Sequence, residues 1–178
     1  VIFGQQGVKR DDPDYYTAYV LNHVLGGGGF SSRLTEEIRE KRGLVYSVYS
    51  YLNPMDRGGL VMGGLGSQNA RVAKSIDIVR AEWRRISQHG VTPEELKSAK
   101  TYLNGSFPLR LDSGSRIARM LVAVQAHKLG IDYLDRRQAL INGVTGDDIR
   151  RVARRLFDAQ KLTVVVVGDP KGLENSPD

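Results

Sequence analysis

The sequence predicts an α+β fold, with an antiparallel or mixed sheet of about four to six strands and helices layered on one face. Three observations predict it. A Val- and Tyr-rich run, residues 44–51, and a second apolar run containing glycines, residues 60–65, flank a turn with Gly, Pro and Asp and read as a hairpin. Stretches with apolar residues three and four apart follow them. Strand-like runs stand at both ends of the chain, so strands and helices are segregated rather than alternating.

Val1, Ile2 and Phe3 form a strand already under way at the first residue, as expected for a piece of a longer chain or a processed product. Asp12 and Pro13 open a helix: aspartate caps it, and proline fits the first turn, where no N–H partner is needed. Tyr16, Tyr19, Val20 and Val24 recur at helical spacing, and Gly26, Gly27, Gly28 and Gly29 stop the helix. Ser31 or Ser32 caps a second helix with Leu34 and Ile38 on one face. Gly43 stands where a left-handed residue would end it. The hairpin comes next, with residues 53–59 as its turn. Val72, Ile76, Val79, Trp83 and Ile86 then step by four and three, an amphipathic stripe that Gly90 ends. Thr92 and Glu95 form a capping box for a helix carrying Leu96, Ala99 and Leu103. Residues 113–128 read as a helix with Ile117, Met120, Leu121 and Val124 inward, and residues 132–141 as a shorter one. Thr145 caps the last, with Ile149, Val152 and Leu156 on its face. Residues 162–167 are almost purely β-branched and are expected to be buried on both sides or central in the sheet. The tail from Lys171 is polar and expected to fray. With no Pro/Ser linker, repeat or low-complexity segment, residues 1–178 read as a single domain.

Composition excludes several function classes. No cysteine is present, which removes disulfides and thiolate metal sites and leaves the compartment open. No run approaches the roughly 18 apolar residues of a membrane helix. The net charge of +6 permits an anionic partner, but acidic and basic residues are interspersed and no nucleic-acid recognition motif is present. Arg33, Arg39, Lys41 and Arg42 read as a solvated helix face, with Glu37 and Lys41 as an i, i+4 pair. The glycine run follows a helix and lacks the Gly-Lys-Ser/Thr end of a phosphate loop. His23, His89 and His127 fall in no His-x-x-Glu-His or His-Glu-x-x-His arrangement, and no two of them share a helical face. A zinc site contained in this chain is therefore not expected.

The stretch from Leu25 through Gly26, Gly27, Gly28, Gly29, Phe30, Ser31, Ser32, Arg33 and Leu34 runs into Arg39-Glu40-Lys41-Arg42-Gly43-Leu44-Val45-Tyr46. It resembles the pitrilysin/insulinase family of zinc peptidases, which includes the mitochondrial processing peptidase. The likeness continues in Gly90-Val91-Thr92-Pro93-Glu94-Glu95-Leu96 and in the closing Val-rich strand with Gly168-Asp169-Pro170. It implies paired α+β domains closing around a chamber, the first binding zinc through a motif absent here. By that resemblance this chain is the second, C-terminal, zinc-free domain of a zinc metalloendopeptidase, inactive by itself. Zinc belongs to the full enzyme and is held by another domain, with none in this segment. Arg39 and, seven residues later, Tyr46 match the family's Arg and Tyr near the scissile bond and are the expected catalytic residues. Gly26, Gly27, Gly28, Gly29 and Phe30 are the expected substrate-binding residues. The implied partners are a zinc-bearing N-terminal domain or partner chain and an extended peptide, with a dimer allowed. Neither nucleic acid nor a membrane span is expected, and the compartment is left open, with the bacterial periplasm and cytoplasm both compatible with the reading. A non-catalytic scaffold or partner subunit of the same fold is the alternative, and an anion-binding module motivated by charge is the distant rival.

Overall fold

Four antiparallel strands form one sheet in the computed structural model, which describes residues 1–173. The strands β1 (Ile2–Gln6), β2 (Val45–Met55), β3 (Gly58–Ser67) and β4 (Thr163–Val165) lie in the order β2-β3-β1-β4. The register pairs Phe3 with Gly63 and Ile2 with Gly64, and Tyr49 with Gly64 on the other side. Alternation then separates buried Phe3, Val48, Val61 and Leu65 from exposed Ile2, Tyr49, Tyr51 and Val165.

The helices are α1 (Tyr15–Asn22), α2 (Val72–His89), α3 (Pro93–Gly105), α4 (Gly114–Ala126), α5 (Tyr133–Asn142) and α6 (Gly146–Leu156), and all but α4 supply side chains to the core on the buried face of the sheet. The α2 stripe is buried throughout, as its spacing predicts. Trp83 sits edge-to-face with Phe3 at 5.6 Å and with Phe157 at 5.3 Å. Its indole N–H donates to Gln5 Oε1 at 3.0 Å, so the largest core side chain leaves no donor unpaired. Both predicted caps form: Thr92 and Glu95 bond reciprocally, as do Thr145 and Asp148. The start of α1 is tied to α6 by Arg151 on Asp14 at 2.8 Å and Arg155 on Asp12 at 2.7 Å.

Several expectations are corrected. The run at 162–167 is neither central nor buried on both sides. Only Thr163–Val165 forms a strand, it pairs with β1 alone, and Val165 and Val167 are exposed. β-Branched residues suit an edge strand as well as a central one, so composition did not distinguish them. The predicted seven-residue hairpin turn shrinks to Asp56 and Arg57, because β2 continues through Asn53, Pro54 and Met55. Proline is tolerated there because β2 is an edge strand. The inward face expected for α4 is absent among the described residues. None of its residues is buried, Ile117 and Leu121 are exposed, and Met120 and Val124 are only half-buried. Arg33 is not solvated but buried. Residues 174–178, the end of the tail expected to fray, lie outside the described residues. Lys171 at its start donates its N–H to the Asn69 carbonyl.

Candidate functional site

The helix-turn-strand unit that carries Arg39 and Tyr46 is built around Gly43. A helix entered at Ser32 widens into a π-helical segment over Thr35–Glu40. It ends where the Gly43 N–H reaches the Arg39 carbonyl at 2.8 Å and the Leu44 N–H reaches the Ile38 carbonyl at 3.0 Å. This is a Schellman closure, and it requires the φ of +59° that Gly43 adopts. β2 begins two residues later with a register slip against β3 between Val45 and Ser47. Tyr46 occupies this bulge and is 70% exposed. A second π-helical segment, His23–Gly27, ends α1 just before the glycine run closes. Such widened turns recur at functional sites.

Arg39 is distinguished from the other cations of its cluster. Arg33 forms a two-pronged ion pair with Glu95, at 2.7 and 2.6 Å, and also donates to the Gly90 carbonyl. Lys41 and Arg42 both close on Glu37 at 2.6 Å, borne out for Lys41 as the predicted i, i+4 pair. Their hydrogen bonds, Lys41 first, hold the Glu37 carboxyl below its usual range. Arg39 keeps only a loose contact with Glu40 at 3.6 Å, and its guanidinium lies 5.0 Å from the centre of the Phe30 ring. The Tyr46 hydroxyl accepts from Gln68 Nε2 at 3.3 Å. No hydrogen bond joins Arg39 to Tyr46 among the described residues. The structure thus brings Arg39 to Phe30 and Tyr46 to Gln68.

Within the glycine run, Gly26 is buried because α1 presses on β2: a methyl there would lie 2.4 Å from Ser50 Oγ. The contact is locked by Asn22 and Ser50, each donating to the other, at 3.2 and 2.8 Å. Gly27, Gly28, Gly29 and Phe30 make up the surface part, with Phe30 exposed.

Three cavities follow α1 from this point. The first, of about 440 Å³, is bounded by His23, Ser31, Glu94, Ser98 and Tyr102. The second, of about 260 Å³, shares His23 and Tyr102 with it and adds Gly27, Tyr15, Tyr19 and Arg110. The third, of about 240 Å³, shares Tyr15, Tyr19 and Arg110 and adds Arg10, Tyr133 and Arg137. The His23 ring stacks on Tyr102 at 5.0 Å. Burial first, and then the charge of Arg110, push its pKa down, so His23 is neutral at neutral pH. Sequence reasoning missed Tyr102, Arg110 and Arg137. They come from segments some 80 residues or more beyond the start of α1, and no local pattern marks them.

Residues 1–103 match the peptidase M16 inactive domain family. The uncharacterized zinc protease SCO5738 of Streptomyces coelicolor is 36% identical over 99% of this chain and 38% of its own length. A non-peptidase homolog, YmxG of Helicobacter pylori, is 31% identical over 92% of this chain and 38% of its own length. In structure, the peptidase M16 inactive domain from Pseudomonas fluorescens superimposes with a TM-score of 0.81. It is 32% identical and covers 90% of this chain and 38% of that one. The chain therefore spans well under half the length of these relatives. Zinc, which the name of the Streptomyces coelicolor relative carries, does not fit the residues described here. Among the described residues no three His, Asp or Glu side chains cluster as ligands. Nor is any helix among them long and apolar enough to cross a membrane. The fold, the match over the glycine run and its following turn, and these relatives make this chain a member of the peptidase M16 inactive domain family.

Proposed function

We propose that this chain is the second, zinc-free domain of a zinc metallopeptidase and positions an extended peptide for cleavage. Metal and general base come from another domain or a partner chain. Arg39 and Tyr46 donate to the carbonyl of the bond to be cut, and Gly27, Gly28, Gly29 and Phe30 form the lip against which the peptide rests. One observation carries the reading: among the described residues Arg39 is the only cation of its cluster without a close acidic partner, and Tyr46, exposed at the bulge that follows the same turn, accepts from Gln68 and has no acceptor for its own O–H. Two such donors aimed at developing negative charge are worth roughly 3 kcal/mol apiece.

The test uses the full-length protein. Arg39→Ala and Tyr46→Phe are each expected to lower kcat by about one to three orders of magnitude, with thermal stability kept. Undiminished turnover in both would remove these side chains from the reaction. The isolated chain is expected neither to retain zinc nor to cleave peptides.

A second reading, a non-catalytic scaffold or partner subunit of the same fold, is favoured by the relative named a non-peptidase homolog. Full-length protein that holds no zinc and hydrolyses no peptide would decide for it. In either case the uncovered face of α4 is the surface available to another domain or to a second copy.

A further inference from the structure

We propose that the cavity at the start of α1, closed by α4 and α5, binds a carboxylate carried on an apolar or aromatic body. Arg10, Arg110 and Arg137 line it, and no Asp or Glu does. Elsewhere the chain meets a buried cation with a carboxylate, as Glu95 meets Arg33. Arg33 and Arg137 are the two buried arginines among the described residues, with Arg137 only 6% exposed. Arg137 makes no ion pair there: Nη1 donates to the Leu103 carbonyl at 3.1 Å, and the guanidinium lies 4.0 Å from the centre of the Phe107 ring. Arg10 is held in the same manner. Its guanidinium lies 4.0 Å from the centre of the Tyr15 ring, and it donates to the hydroxyls of Tyr16 at 2.9 Å and Tyr133 at 3.3 Å.

Among the described residues two guanidinium groups, that of Arg137 buried and that of Arg10 half-buried, are therefore fixed by neutral partners without an acidic one. Burying an unpaired cation is costly, and aromatic faces offset only part of that cost. The planar fork of arginine matches a carboxylate in geometry, and the rings have already fixed both forks before any ligand arrives. The apolar side chains of Met120, Val124 and Phe107 close the cavity, which suits a carboxylate with an apolar body better than inorganic phosphate. Two sources share this chemistry: a free aromatic acid, and the C-terminal carboxylate of a peptide ending in an apolar residue. The cavity contains neither Arg39 nor Tyr46, so the inference does not depend on their role in cleavage.

Calorimetric titration of the full chain tests it. The probes are N-acetylphenylalanine, its amide, and an octapeptide ending in Phe with a free or an amidated C terminus. The free acid is expected to bind at least about tenfold more tightly than its amide. Arg10→Gln and Arg110→Gln should each remove most of that difference while leaving amide binding unchanged. Arg110 is exposed, so its variant keeps the test readable should the Arg10 variant fail to fold. Preference for the small acid alone identifies a free acid as the ligand, and preference for the peptide acid as well identifies a C terminus. Equal binding of acid and amide, or undiminished acid binding by a folded Arg110→Gln, would overturn the proposal.

Discussion

At the scale of single residues, the four consecutive glycines do different jobs. Gly26 lets a helix lie directly on a strand, since a methyl in its place would sit 2.4 Å from Ser50 Oγ and 2.7 Å from the Ser50 amide nitrogen. Gly26→Ala is expected to cost about 1–3 kcal/mol by overpacking, read as a lowered Tm, and to disturb the buried Asn22–Ser50 pair. The three glycines after it lie nearer the surface. Arg33 and Arg39 make a similar contrast six residues apart: one is sealed against Glu95, and the other has among the described residues only a loose contact with Glu40. Both looked alike in the sequence, as members of one basic cluster. What separated them was Glu95, a residue 62 positions from Arg33 that also caps its own helix.

At the scale of elements, the fold depends on how the entry to α1 is anchored to α6. Hydrogen bonds from Arg155 hold the Asp12 carboxyl, and hydrogen bonds from Arg151 the Asp14 carboxyl, below the usual carboxylate range. Because their folded pKa values lie below the unfolded ones, these groups contribute their full stability above the ordinary value of about 4. The contribution is lost as pH falls through the depressed folded values. Stability measured by urea unfolding is therefore expected to decline on acidification below about pH 4. Asp14→Asn is expected to cost about 1–3 kcal/mol at pH 7 and to flatten that decline. A variant that keeps the wild-type acid slope would show that other carboxylates dominate it. The capping boxes at Thr92 and Thr145, by contrast, need only neighbours within four residues, which is why both helix starts were legible in advance for Thr92 and, as a cap, for Thr145.

At the scale of the whole molecule, burial is uneven. The core joins the inner sheet face to α1, α2 and α6, whereas α4 contributes no buried residue. Amide exchange followed by mass spectrometry on the isolated chain is expected to be faster across α4 than across α2 by orders of magnitude. Equal protection of the two helices would refute that division. The sequence by itself determined the α+β class, the periodic helices, the hairpin and the turn at Gly43, because each rests on contacts or conformations local to a few residues. Its motif at the glycine run also marked the family. Only the tertiary structure decided that β4 lies at the sheet edge, that α4 lies open, and that Arg10, Arg110 and Arg137 meet in one cavity. Those outcomes depend on which distant segments pack together, and the exclusion of water and the pairing of charge are settled across such contacts rather than along the chain.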